Sequence, residues 1–202
     1  MSLILWAIGG FTFIALAVLP MKEWLQGIDD WIWQLAVDAE SSVLVMLAKV
    51  LDFIGSTIIV APIMVGVAVY LIVRKRWEGL AFWGLAMVVS QLFIGPVKAL
   101  YARPRPPMSL VATTGYSFPS GHSVASAAVA IALVIVLVPA GPERRNLEII
   151  AGVFAFVMAL SRVYLRAHWF SDAAGGAAMG AAIAIGAAIL VHRVVERRHG
   201  GS

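Results

Sequence analysis

The sequence predicts an all-α integral membrane protein, a bundle of six transmembrane helices with both termini in the cytoplasm. Two observations carry this prediction. Of the 202 residues, 61% are hydrophobic and only 13% are charged, whereas soluble domains carry about 25% charged residues. The apolar residues also form blocks close to the roughly 20 residues that a helix needs to cross the hydrocarbon core. We therefore interpret each block as a membrane span.

Six apolar blocks are candidate spans, and the charged residues between them set the orientation. The blocks are residues 3–20, 55–73, 79–96, 121–140, 148–165 and 172–192. The basic stretches 74–78, 141–146 and 192–200 fall on one side of a six-span arrangement, and the positive-inside rule makes that side cytoplasmic. The first block could instead be a cleaved signal peptide, because Ala15–Ala17 resembles a cleavage site, but no basic residue precedes it.

The segment 21–40 falls outside in this topology and is predicted to be an interfacial helix. Its tryptophans are typical of a helix that lies in the headgroup region. It contains one lysine and five acidic residues: Glu23, Asp29, Asp30, Asp38 and Glu40. We expect a single domain over residues 1–202, with 199–202 a natural tail or a cloning remnant. Gly176 and Gly180 have the small-xxx-small spacing of closely packed helices.

Three polar clusters interrupt the apolar pattern at helix ends on the predicted outer side, residues 98–107, 119–122 and 161–172. One such cluster would be explained by a side chain that snorkels to the membrane surface. Three clusters on the outer side, where the positive-inside rule disfavours basic residues, indicate a functional site. Arg103 and Arg166 belong to these stretches, and we expect them to be solvated or lipid-facing rather than to contact a lipid headgroup or a further anionic group of a ligand.

His168 and Asp172 are four residues apart, which places them on one helix face. A carboxylate bonded to one imidazole nitrogen makes the other nitrogen a better base or nucleophile. The alternative is a polar pair with no role beyond the helix start. Arg162 can converge on His168 only if the fifth span ends near Arg162 and the sixth begins near His168.

The other two clusters supply cations and a helix N-terminus. Three prolines end the helix after Lys98, and the turn can fold Arg105 back beside it. Ser120 is a good N-cap and Gly121 leaves its amide unshielded, so the following helix offers an anion site. Capping alone does not explain His122, which is costly at the start of a membrane helix.

This combination of cations, amides and histidines suits a phosphate. Two histidines and an aspartate could in principle hold zinc, but the neighbouring cations oppose a metal ion, so we expect no metal and no cofactor. The chain has no cysteine and therefore no thiolate chemistry. Its net charge of +4 is assigned to cytoplasmic loops, and we expect no nucleic-acid partner. The oligomeric state is not indicated.

The sequence resembles the type 2 phosphatidic acid phosphatase (PAP2) superfamily of lipid phosphatases. The resemblance rests on three motifs, K-x6-RP, PSGH and SR-x5-H-x3-D, which read KALYARPRP at 98–106, PSGH at 119–122 and SRVYLRAHWFSD at 161–172. All three are present in order. It implies that His168 is the nucleophile, that Asp172 orients it and that His122 is the general acid. It further implies that Lys98, Arg105, Ser120, Gly121 and Arg162 hold the phosphoryl group.

The resemblance therefore predicts a membrane phosphatase that acts through a phosphohistidine on a lipid phosphate or diphosphate, without a metal. Undecaprenyl diphosphate or a broad specificity is preferred, with phosphatidylglycerophosphate, phosphatidic acid and a lipid A phosphate as other candidates. We expect the bacterial inner membrane as its location, with an extracytoplasmic site and membrane lipids around it. Two alternatives are a phosphotransferase using the same residues and a non-catalytic lipid-binding or lipid-translocating protein.

Overall fold

A computed structural model describes residues 22–199 as seven α-helices, and that part of the chain contains no strand. The all-α prediction is therefore confirmed for the described residues. The helices are α1 (Lys22–Asp38), α2 (Ser42–Ile54), α3 (Thr57–Val73), α4 (Trp77–Tyr101), α5 (Gly121–Leu137), α6 (Pro142–Tyr164) and α7 (Phe170–His199).

Four helical stretches are long and apolar enough to cross a membrane: Ser42–Val73, Trp77–Tyr101, Pro142–Tyr164 and Phe170–Arg197. Helix α5 is equally apolar but has only 17 residues, about 26 Å at 1.5 Å per residue. Large apolar side chains such as Ile58, Leu92 and Ile149 are exposed on these helices, as expected where lipid is the solvent. The chain is an integral membrane protein.

Five of the six predicted spans coincide with helices, and the first, residues 3–20, lies outside the described residues. The second span starts earlier than predicted, because α2 precedes α3 with only Gly55 and Ser56 between them. Helix α2 was not predicted, since 13 residues that include Lys49 and Asp52 are too short and too polar for a separate span. The helix predicted in the segment 21–40 is present over Lys22–Asp38, and its position at the membrane interface stays a prediction.

Helix α5 is the centre of the bundle, and small residues allow α7 to approach it closely. A Cβ atom on Gly180 would lie 2.2 Å from the Val124 carbonyl oxygen, and one on Gly176 would lie 2.8 Å from that of Ser120. Neither position can hold a side chain without moving the α5 backbone. The predicted close packing at Gly176 and Gly180 is confirmed, and it fixes the start of α5 against the start of α7.

The ends of α4, α5, α6 and α7 meet at one end of the bundle through backbone hydrogen bonds. The Ser120 amide donates to Asp172 O at 3.1 Å, and the Ser117 amide donates to Arg103 O at 2.8 Å. Residues 165–169, which connect α6 to α7, are all buried. Motifs that are far apart in sequence are thereby brought to one place.

Candidate active site

His168 lies in the connection between α6 and α7, buried and in contact with a guanidinium. Arg105 Nη1 lies 3.2 Å from His168 Nε2 and also donates to Ala167 O at 2.8 Å. A guanidinium donates and cannot accept, so Nε2 must be the accepting nitrogen. The ring proton then belongs on Nδ1, and the lone pair of Nε2 points toward a cation.

The Nδ1 side of His168 faces Asp172, as the four-residue spacing predicts. Nδ1 lies 3.9 Å from Asp172 Oδ2, slightly too far for a direct hydrogen bond. Ser117 lies between the two: its hydroxyl donates to Asp172 Oδ2, and its Oγ is 3.4 Å from Nδ1. The amide of Trp169 also donates to Oδ2, at 3.0 Å. Sequence reasoning missed Ser117, although it lies two residues before the PSGH motif.

The burial of His168 lowers its pKa from 6.5 to about 4, because the charged ring would be desolvated. Asp172 opposes this shift of the pKa, whereas the nearby Arg105 and Arg162 guanidiniums favour the neutral ring. Burial likewise lowers the pKa of Arg105, and Asp172 partly restores it. His168 is thus neutral at pH 7, with Nε2 available as a nucleophile.

Lys98 and Arg105 converge as the turn predicted at the prolines after Lys98 requires. Lys98 Nζ donates to Tyr116 O, and Arg105 Nη2 donates to the same oxygen at 3.3 Å. Arg105 also donates to Gly115 O at 3.0 Å and Thr114 O at 2.7 Å. Both cations are held by carbonyls of one loop beside His168.

His122 and Arg162 form the other side of the site and share a carboxylate that was not predicted. Asp52, from α2, forms an ion pair with Arg162 and lies 3.1 Å from His122 Nε2 without hydrogen-bond geometry. The only signal in the sequence is that Asp52 is an isolated acid in an apolar segment. Within the described part of the chain, His122 Nε2 and Arg162 Nε are buried polar atoms with no hydrogen-bond partner.

Ser120 and Gly121 form the N-terminus of α5. Ser120 Oγ accepts from the Ser123 amide at 3.4 Å and from Ser123 Oγ at 3.0 Å, which confirms the predicted N-cap. Both contacts use the Ser120 hydroxyl as an acceptor. A Cβ on Gly121 would have no heavy atom within 4 Å, so the space beside this helix start is open to a ligand.

Arg103 and Arg166 are not solvated or lipid-facing, so that expectation was wrong. The Arg166 side chain is only 3% exposed and pairs with Glu40 at 2.6 Å. Arg103 is 12% exposed and pairs with Asp29 at 2.6 Å and Asp172 at 2.7 Å. Asp29 comes from α1, and Glu40 comes from the turn after it. Pairing with carboxylates that are distant in the sequence thus compensates the burial of these cations.

The eight predicted site residues therefore lie together at one end of the bundle. His168 contacts Arg105 and Asp172, and Asp52 connects Arg162 to His122. No group of three or more His, Cys, Asp or Glu that could hold a metal ion is found among the residues described. The arrangement presents cations and a helix N-terminus around a neutral histidine, which suits nucleophilic attack on a phosphate.

Known proteins resemble this chain in sequence. The family model of the PAP2 superfamily matches residues 79–198. Phosphatidylglycerophosphatase B of Bacillus subtilis (strain 168) is 31% identical over 174 residues, which are 83% of this chain and 85% of that protein.

Two solved structures resemble the fold. The first transmembrane PAP2 type phosphatidylglycerolphosphate phosphatase from Bacillus subtilis superposes with a TM-score of 0.80 and 28% identity, over 98% of each chain. LpxE of Aquifex aeolicus gives a TM-score of 0.62 over 77% of this chain and 91% of that one. At 21% identity, LpxE supports the fold alone.

Proposed function

The chain belongs to the PAP2 superfamily of membrane phosphatases, and on that premise we propose that it hydrolyses the terminal phosphate of a lipid phosphate or diphosphate. The observation that carries the proposal is the Arg105 guanidinium 3.2 Å from the Nε2 of a neutral, buried His168. An anion drawn to that guanidinium would place its phosphorus within reach of the nucleophilic nitrogen.

The proposed reaction has two steps. In the first, His168 Nε2 attacks phosphorus, an N–P bond forms, and the bond to the leaving lipid oxygen breaks as His122 gives that oxygen a proton. In the second, His122 takes a proton from water, the water oxygen attacks phosphorus, and the N–P bond breaks to release phosphate. Asp172 stabilises the charge that develops on the His168 ring.

The remaining predicted residues would hold the phosphoryl oxygens. Lys98, Arg105 and Arg162 supply positive charge, and the Gly121 amide and Ser120 lie at the helix start. The unpartnered Nε of Arg162 and Nε2 of His122 support this proposal, because buried polar groups normally have partners and a phosphate oxygen can accept from both. Together such donors can contribute several kcal/mol in the transition state.

Phosphatidylglycerophosphate is the substrate that the comparisons favour, since the matched sequence and the matched structure from Bacillus subtilis both carry that activity in their names. The sequence-based preference for undecaprenyl diphosphate is retained as the second candidate. Purified protein in detergent, with EDTA present, would be given phosphatidylglycerophosphate, undecaprenyl diphosphate, phosphatidic acid and a lipid A phosphate. We expect phosphate release that depends on His168 and is fastest with the first. Binding without release from any of them would favour a non-catalytic lipid-binding or lipid-translocating protein.

A phosphotransferase would use the same residues, so the products must be analysed with and without candidate acceptors. A phosphorylated acceptor formed at the expense of free phosphate would identify a transferase. Trapping of labelled phosphate on His168 in a rapid alkaline denaturing quench, which preserves the acid-labile N–P bond, would support the covalent intermediate in either case. Release of phosphate with no labelled protein at any time would argue for direct attack by water.

We further propose six spans with both termini in the cytoplasm of a bacterium and the site on the outer side of its inner membrane. Because the chain lacks cysteine, single cysteines report topology without background. Met108 is 62% exposed on the site side, and Glu143 is exposed at the opposite end. We expect a membrane-impermeant thiol reagent to label Met108→Cys, but not Glu143→Cys, in intact spheroplasts. The reverse pattern would invert the topology.

A further inference from the structure

Arg103 joins two carboxylates that come from opposite ends of the described chain. Its Nη1 donates to Asp172 Oδ1 at 2.7 Å, and its Nη2 donates to Asp29 Oδ2 at 2.6 Å. Both carboxylate side chains are fully buried. Arg103 occupies a variable position of the K-x6-RP motif, and Asp29 precedes the residues that the family model matches.

Asp29 is also bonded to the residue immediately before Asp172. Its Oδ1 accepts from the Ser171 amide at 2.8 Å, and its Oδ2 accepts from the Ser171 hydroxyl at 2.6 Å. Arg103 completes the network through Ser171 Oγ at 2.6 Å and Gln26 Oε1 at 2.8 Å. The first turn of α7, which carries Asp172, is thus fixed by a helix some 140 residues earlier in the chain.

The two oxygens of Asp172 have different partners. Oδ2 faces Ser117, the Trp169 amide and the His168 ring, whereas Oδ1 faces Arg103. Without Arg103, Oδ1 would be a buried charge without a partner, which is strongly unfavourable. The carboxylate would then rotate or take up a proton, and either change would withdraw Oδ2 from the His168 side.

We propose that Arg103 and Asp29 are positioning residues that hold Asp172 ionised and oriented toward His168, so that α1 is part of the catalytic apparatus. This inference rests on the proposed function. It differs from simple anchoring of α1, because an anchor would affect stability without acting through Asp172.

The decisive experiment is a double-mutant cycle between Arg103→Gln and Asp172→Asn, with kcat and KM measured on the lipid phosphate turned over fastest. We expect Arg103→Gln to lower kcat by about 10²-fold, the cost of displacing a catalytic group by about 1 Å, with KM nearly unchanged. If Arg103 acts through Asp172, the double variant has the kcat of Asp172→Asn alone. Multiplicative losses, or an effect on KM alone, would overturn the proposal.

Asp29→Asn tests the α1 side of the network, and Asp38→Asn on the same helix is its control. Asp38 is exposed, and among the described residues its side chain bonds only to Gln34, so the kcat of Asp38→Asn should match that of the parent. We expect Asp29→Asn to lower kcat by about tenfold, a partial version of the same loss. If it does not fold, Ser171→Ala removes a hydroxyl of the network without a change in charge and should still lower kcat. Parent-like kcat in the folded variant would overturn the role of Asp29.

The outcomes separate this inference from the proposed function. If Asp172→Asn reduces turnover but Arg103→Gln and Asp29→Asn do not, only the positioning role fails. If Asp172→Asn or His168→Ala costs nothing, the proposed chemistry fails and the positioning role fails with it. Thermal unfolding in detergent of each variant would show whether a loss of turnover reflects a loss of folded protein.

Discussion

The two regions of this site differ in what they supply. Residues 79–198, which match the family model, contribute the histidines and the cations. The segment before them contributes three carboxylates, and each of these pairs with one arginine: Asp29 with Arg103, Glu40 with Arg166 and Asp52 with Arg162. Asp172 aside, the carboxylates that pair with these arginines thus come from a part of the chain that precedes the reacting groups.

The three pairs also differ in burial, and therefore in what they can do. Asp29 is fully buried, Asp52 is 28% exposed and Glu40 is 46% exposed. A buried pair is costly to break, whereas an exposed pair contributes about 1 kcal/mol or less. Asp29 can therefore hold a fixed geometry, and Asp52 can yield Arg162 to a competing anion.

The largest effect should come from the family-matched region. His168→Ala removes the proposed nucleophile, and we expect turnover to fall by about 10⁴-fold or more, as when a nucleophile is removed from other hydrolases. The small side chain should leave the bundle folded, which size-exclusion chromatography and thermal unfolding would check. Substantial remaining turnover in the folded variant would mean that His168 is not the nucleophile.

The protonation state of the same residue offers a second test. With a pKa of about 4 rather than 6.5, His168 stays mostly neutral at pH 5, where an ordinary histidine would be about 3% neutral. Because its pKa is lowered on folding, its contribution to stability is complete above pH 6.5 and is lost as the pH falls toward 4. ¹⁵N NMR of labelled histidines, assigned with His168→Ala, should show the Nδ1–H tautomer at pH 5 to 7. A titration near 6.5 would contradict the buried neutral ring.

Prediction from sequence follows the same division between the two regions. Motif spacing found His168, Asp172, His122 and the cations, because those residues recur as a local pattern within or beside helix ends. Asp29 and Asp52 follow no such pattern. Their partners lie 74 and 110 residues away, and an acid in an amphipathic or apolar helix gives no sign of where it will pair.

The wrong expectation for Arg103 and Arg166 has the same cause. The free-energy cost of an arginine at a membrane boundary is lowest when its side chain reaches water. No acidic residue close to Arg103 or Arg166 in the sequence indicates a counter-ion. Hydropathy located the long helices well, since their burial in lipid depends on their own composition. Contacts between helices depend on the whole fold, so only the structure shows them.

Asp52→Asn tests whether the N-terminal carboxylate competes with phosphate. Removing a negative charge beside Arg162 and His122 should strengthen the binding of an oxyanion, and we expect vanadate to inhibit at about tenfold lower concentration, equal to 1.4 kcal/mol. kcat should fall, because His122 loses its nearest carboxylate. Asp38→Asn is the matched control and should leave both unchanged. Weaker inhibition by vanadate would mean that Asp52 supports the anion site.

Glu40→Gln should have the smallest effect, because Glu40 is nearly half exposed although its partner Arg166 is buried. Water can reach the carboxylate side of this pair, but its loss leaves the buried Arg166 without its charged partner, so the free energy of unfolding should fall by about 1 to 3 kcal/mol, less than for a fully buried pair. We expect kcat and vanadate inhibition close to those of the parent. Among the described residues, the Arg166 side chain forms no hydrogen bond or ion pair with His168 or His122. A loss of kcat comparable with that of Asp29→Asn would show that every N-terminal carboxylate acts on catalysis. The three pairs would then share one electrostatic role in catalysis. They would no longer differ as a fixed pair with Arg103, a pair with Arg162 that competes with phosphate, and a peripheral pair with Arg166.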